Sequence, residues 1–262
     1  MKKLVTAFAA CALAGLAFAQ VESVNIVGYQ TLTATGQYFS TGPTFISVGD
    51  ANGEWKLSDV TVSGMDAYND FVQFLSPDTA GTVLQATYID AAWDAANGDG
   101  DGALIGWWDY NDIGGTSLNE EVFAAGTGFL CNFSSSGIAI TYAGEVLQGS
   151  TQLDLSGSRY PMIANLTPID LTLGDITVSG MDAYNDFIQF LSPTTAGTVL
   201  QATYIDAVWD AANGDGDGAL IGWWDYNDIG GTSLNATELP AGTAVLGNFS
   251  SSGVMITFPD PV

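Results

Sequence analysis

The feature that most limits what this chain can fold into is a duplication. Leu57–Tyr142 aligns with Leu173–Phe258 at a constant offset of 116, with no gap and 16 mismatches in 86 positions. Inside it, Asp94–Gly115 recurs letter for letter as Asp210–Gly231. A repeat this long is a duplicated domain, because solenoid units run to only ~20–45 residues. Whatever core one copy builds the other must build too, and any site in an unchanged stretch occurs twice.

Each copy reads as short strands rich in Val, Ile, Thr, Phe, Tyr and Trp, separated by clusters of Gly, Asp, Asn, Ser and Pro. In the first copy the expected strands are Gln20–Gln30, Thr44–Val48, Val60–Val62, Asp70–Leu75, Val83–Ile89, Leu104–Trp108, Gly128–Phe133 and Ile138–Tyr142. No window of helical length keeps a capped 3.6-residue apolar period, and Ala91–Ala96 is the one place for a helical turn. Strands at this spacing predict an all-β fold, two tandem antiparallel β-sandwich domains over residues 20–148 and 149–262. The mismatches between Glu120–Ala124 and Ala236–Pro240 are expected to mark a solvent-exposed loop.

Residues 1–19 read as a signal peptide: Lys2 and Lys3, an apolar run to Leu16, then Ala17-Phe18-Ala19 before Gln20. That run is too short to span a bilayer, so no membrane insertion is expected once it is removed. Cys11 offers lipid attachment, but Phe8-Ala9-Ala10 ahead of it lacks the leucine of lipoprotein signals. The chain is therefore expected to be secreted or held at the cell surface.

Beyond residue 19 the only basic residues are Lys56 and Arg159, against 29 acidic ones. Nothing here can neutralise a run of phosphates, which excludes nucleic acid and anionic membrane surfaces as partners. Histidine is absent, so there is no Ser-His-Asp triad and no histidine metal site. Cys131 alternates onto the face of Phe129 and Phe133, which predicts a buried thiol acting as a small apolar residue.

The acidic glycine loop carries the chemistry. Asn97-x-Asp99-x-Asp101-Gly102 offers side-chain oxygens at alternate positions followed by a turning glycine, and Ala103 adds a backbone carbonyl. Such a set suits Ca2+, which takes ~6–8 oxygens on a tightly curved backbone. Where the helix-loop-helix form places a bidentate glutamate, this chain has Trp108, so Asp109, Asp112 or the upstream Asp94 must close the shell. Asp109 is the expected closer. In the second copy the expected ligands are Asn213, Asp215, Asp217, Ala219 and Asp225. Plain hairpin turns built on Asn-Gly and Asp-Gly are the alternative. Trp107 and Trp108, with Trp223 and Trp224, point to opposite strand faces, so one of each pair is a candidate for stacking on a sugar ring. Asp66, Asp70, Asp109 and Asp112 could in principle supply a glycosidase pair, though nothing in the sequence singles one out.

The chain carries the short motifs Ser23-Val-Asn-Ile-Val-Gly-Tyr29, Asp70-Phe-Val-Gln-Phe-Leu75, Ala125-Gly-Thr-Gly-Phe-Leu130, Ile138–Glu145 and Tyr160-Pro-Met-Ile-Ala-Asn165. On these the chain resembles uncharacterised secreted β-rich repeat proteins of the Planctomycetes–Verrucomicrobia group. The resemblance implies an exported β-rich repeat and supplies no catalytic residue. The expected function is an acidic structural or adhesive protein of the surface or matrix, with calcium-stabilised loops and no enzymatic activity. Its partners would be further copies of itself or a surface polymer or carbohydrate. A pair of carbohydrate-binding modules is the alternative, and a glycoside hydrolase comes after it.

Overall fold

The computed structural model describes residues 27–34, 38–50, 52–76, 82–155, 159–191 and 198–261. The expected signal peptide, Cys11 and the start of the expected opening strand lie outside the described residues. Among the described residues, ten strands are found in each copy. The first has β1 (Val27–Thr33), β2 (Tyr38–Thr41), β3 (Glu54–Lys56), β4 (Val60–Ser63) and β5 (Phe71–Leu75). It continues with β6 (Val83–Ile89), helix α1 (Ala91–Asn97), β7 (Gly106–Asp109), β8 (Val122–Ala124), β9 (Phe129–Asn132) and β10 (Ala139–Glu145). The second copy repeats that order as β11 (Thr151–Asp154), β12 (Met162–Ala164), β13 (Leu171–Thr172), β14 (Thr177–Ser179) and β15 (Phe187–Leu191). Then come β16 (Val199–Ile205), α2 (Ala207–Asn213), β17 (Gly222–Asp225), β18 (Glu238–Leu239), β19 (Ala244–Asn248) and β20 (Met255–Phe258).

All strand pairings are antiparallel, so the all-β expectation holds. The expected two-layer sandwich is not what each copy builds. Its strands divide among three small sheets, ordered β1-β10-β4, β2-β9-β5-β6-β7 and β3-β8, with the same orders in the second copy. The third sheet explains the difference. Trp55 on β3 and Phe123 on β8 stack at 4.6 Å between centroids and enter the same core as Val72, Phe74, Phe129, Ile140 and Tyr142. The segment expected to be an exposed loop thus carries a strand with buried Phe123. The expected strand Thr44–Val48 is not one; it holds a single bridge, Ile46 to Glu145. Cys131 is a free thiol, fully buried in this core, and burial pushes its pKa well up.

In the second copy Leu171, Leu239 and Val245 stand where Trp55, Phe123 and Phe129 stand in the first. The lost volume is not fully refilled: an apolar cavity remains, lined by Leu239, Val245, Trp223, Ile256 and Phe258 among others.

The copies meet along a seam with approximate two-fold symmetry. Gly42 N–H donates to Gly242 O (3.1 Å), and in the mirrored position Ala164 N–H donates to Gly126 O (2.8 Å). Thr41 bridges Thr243 as Ile163 bridges Thr127. Such reciprocal contacts, one residue with a second and their counterparts with each other, are the mark of an isologous interface, here closed within one chain.

Because the cavity is apolar and beside Val245, Val245→Ile should add one buried methylene there. A gain of roughly 0.8 kcal/mol is expected, read as a higher urea midpoint at unchanged slope; a lower midpoint would mean the space is already filled.

Candidate metal centres

Helix α1 is short and firmly seated. Asp90 caps it: Oδ1 accepts from Trp93 N–H (2.7 Å) and Oδ2 from Gly64 N–H (3.0 Å). Trp93 packs in a small outer cluster with Ala67 and Ile89, flanked by Leu104, Trp108 and Ile113. The next residue, Asp94, is thereby turned inward and is 1% exposed. The helix stops at Gly98, whose N–H closes on Asp94 O (2.8 Å), and the chain doubles back through Gly100 and Gly102, both at positive φ. Glycine accommodates this backbone without the steric penalty of a Cβ.

The doubling back brings three carboxylates together. Asp94, Asp99 and Asp101 each offer an oxygen within 4.8 Å of the others, and Asp210, Asp215 and Asp217 repeat the group. One Asp94 oxygen, Oδ2, accepts from Gly102 N–H (3.0 Å). The other, Oδ1, is buried with no hydrogen-bond partner, and Asp210 Oδ1 is the same. A Cβ at position 98 would lie 2.4 Å from Asp94 Oδ1, so only glycine leaves room beside it. A buried carboxylate oxygen without a donor is costly, and the two further carboxylates gathered with Asp94 raise that cost. A cation among them would remove it. The donors are all oxygen, which selects hard cations over zinc or copper.

Of the ligands expected from sequence, Asp99, Asp101, Asp215 and Asp217 belong to these groups. Asp109 and Asp225 do not: each sits at the end of its strand and accepts from the N–H two residues on, Asn111 or Asn227, at 2.8 Å. The side-chain amides of Asn97 and Asn213 donate back to Trp93 O and Trp209 O at 3.2 Å. Ala103 and Ala219 donate their N–H groups to Asp101 and Asp217. Asp94, named only as one of three possible closers, is the residue that closes the group. Its helical phase is the signal: it stands four residues after the cap Asp90, whose carbonyl accepts its N–H (3.0 Å).

Trp107 and Trp223 lie in the main cores, 0% and 1% exposed, with Nε1 donating to Val60 O and Ile176 O. They are out of reach of any ligand. Trp108 and Trp224 are half-buried under the acidic loop, Nε1 donating to Leu104 O (2.6 Å) and Leu220 O (2.7 Å). Asp70, one of the carboxylates considered for hydrolysis, is a buried turn lock. Its Oδ1 accepts from Ser134 N–H, Ser134 Oγ and Ser135 N–H, and Oδ2 from Asp66 N–H.

No protein-family model matches this chain, and no curated protein matches it. Among solved structures, a chain from the atomic structure of Sulfolobus Turreted Icosahedral Virus is 12% identical with a TM-score of 0.20, covering 92% of this chain and 59% of that one. A score that low carries no statement about this fold. Among the described residues, no helix is long and apolar enough to cross a membrane.

Burial works to raise the Asp70 pKa, but donation from Ser135, Asp66 and Ser134 outweighs it, and the net shift is downward. Asp186 repeats this with Ser251, Asp182 and Ser250. A carboxyl with a lowered folded pKa contributes stability that is present above its unfolded value, ~3.9, and lost as pH falls through the folded value. Asp70→Asn should therefore lower stability at pH 7 by about 2–3 kcal/mol. Between pH 5 and pH 2 it should lose less than the parent, measured by urea midpoints; parallel losses would contradict the assignment.

Proposed function

We propose that this chain is an exported, acidic structural or adhesive protein of the cell surface or matrix whose two acidic loops each take up a calcium ion. The observations that carry the reading are that Asp94 gathers with Asp99 and Asp101 and that its Oδ1 is buried without a partner, both repeated at Asp210. Calcium is favoured over magnesium because three carboxylates on a glycine-rich loop leave places for carbonyls and water without demanding an octahedron. The high negative charge and near absence of basic residues supply a field that draws divalent cations and opposes the compact state without them. We read the three short sheets around each core as a propeller-like grouping rather than a pair of sandwiches. The carbohydrate alternative is left with Trp108 and Trp224, which are half-buried with their indole N–H groups committed to Leu104 O and Leu220 O.

The loop is tied to the sheet through the Trp108 indole, so a bound ion steadies Leu104, Trp108 and helix α1 together. Differential scanning calorimetry of chelator-treated protein tests the reading. With dissociation constants of ~10⁻⁴–10⁻³ M, typical of extracellular modules, 10 mM calcium should add about 1.4–2.7 kcal/mol per site. No rise in Tm would sink it. Asp94→Asn with Asp210→Asn should abolish the calcium increment while leaving the metal-free Tm equal to or above that of the parent, because a like-charge contact is removed. A metal-free Tm lowered by the double substitution would instead make Asp94 a plain structural carboxylate. Concentration-dependent sedimentation tests the adhesive part: self-association is expected in calcium, and a strict monomer with and without it would refute assembly.

A further inference from the structure

The seam between the copies is built from residues too small to be incidental. A methyl at Gly42 would lie 2.6 Å from the Ala164 Cβ, and one at Gly128 would lie 2.6 Å from the Ala244 Cβ. These are counterpart positions: Thr41 pairs with Phe129 in β2–β9 as Ile163 pairs with Val245 in β12–β19. At both points glycine of the first copy meets alanine of the second. Neither glycine has a positive φ, so backbone conformation does not require glycine there. Carbon atoms pack at ~3.5–4.0 Å, so alanine against alanine would force the backbones apart at two places. Glycine against glycine would leave both places unfilled.

A polar difference points the same way. Thr41 Oγ1 donates to Gly242 O across the seam (2.6 Å) and accepts from the buried Tyr142 hydroxyl (2.6 Å). The second copy has Ile163 and Phe258 at these positions, with no hydroxyl to offer. Two second-copy surfaces brought together would therefore lose that donor as well as clash.

We propose that this seam is a recognition surface that fits the unlike copy, in the same chain or in a second chain, and rejects a second copy of its own kind. The self-association proposed above must then use other surfaces, or else exchange first copy for second reciprocally between two chains. Like-with-like stacking through second copies is closed off.

The test uses the full chain and Gly128, where an added methyl would meet Thr41 O at 3.0 Å besides the Ala244 Cβ, whereas at Gly42 it would also meet the Gly128 Cα at 2.8 Å. Gly128→Ala should lower Tm by roughly 2–12 °C. Adding Ala244→Gly, which exchanges the two residues across the seam, should restore Tm to within about 2 °C of Ala244→Gly alone. If Gly128→Ala fails to fold, recovery of a folded, cooperative protein in the exchanged variant supports the pairing rule just as well. A parent-like Tm for Gly128→Ala would overturn it, and so would an exchanged variant no better than Gly128→Ala.

Discussion

With almost no basic side chains, this chain must satisfy every buried anion from backbone and hydroxyl donors or from an ion brought in from outside. Both copies bury the same pair of aspartates, Asp70 with Asp94 and Asp186 with Asp210, and the two members meet that demand in opposite ways. Asp70, 0% exposed, has donors on both oxygens: three on Oδ1 and the Asp66 N–H on Oδ2. Asp94 is as deeply buried, yet it has a single donor at Oδ2 and two carboxylates for neighbours. The first arrangement is complete by itself. The second is the kind of deficit that metal sites show, because a divalent ion repays desolvation and repulsion at once.

How much of this was legible in the sequence follows from the range of each signal. The duplication, the strand periodicity outside Thr44–Val48, the helical turn after Asp90 and the burial of Cys131 are local or self-referential, and they hold in the structure. Asp99 and Asp101 were readable because both sit on the loop itself. Asp94 outranking Asp109 was not: their distances along the chain from the loop are similar, and only the helix phase and the reversal at Gly98 decide which carboxylate arrives. Alternation correctly sets Trp107 and Trp108 on opposite faces, but it cannot reveal that the outer face is covered by α1. The third sheet escaped notice because β3 and β8 are three residues each, too short for a period-two pattern to stand out.

The differences between the copies are placed by packing. Trp55 and Phe123 give way together to Leu171 and Leu239, one contact changing as a unit, and Phe129 becoming Val245 leaves the cavity beside them. Thr41 and Tyr142 likewise change together to Ile163 and Phe258, which removes both ends of a buried hydroxyl pair rather than orphaning one. Removing both partners is close to neutral, whereas removing one leaves the full desolvation penalty.

The same geometry accounts for where the copies stayed identical. In each five-stranded sheet, β2 or β12 forms one edge and β7 or β17 the other. The seam lies at the first edge, and three strands separate it from the strand that follows the acidic loop. At the seam a position meets its own counterpart, so identity is a handicap: equal residues are both too large or both too small. The acidic loops never meet one another through that seam, so nothing in the pairing of the copies opposes their remaining alike. Unlike residues where the join sets a position against its own counterpart, at Gly42 with Ala164 and Gly128 with Ala244, and like residues at the far edges are therefore two consequences of one symmetry.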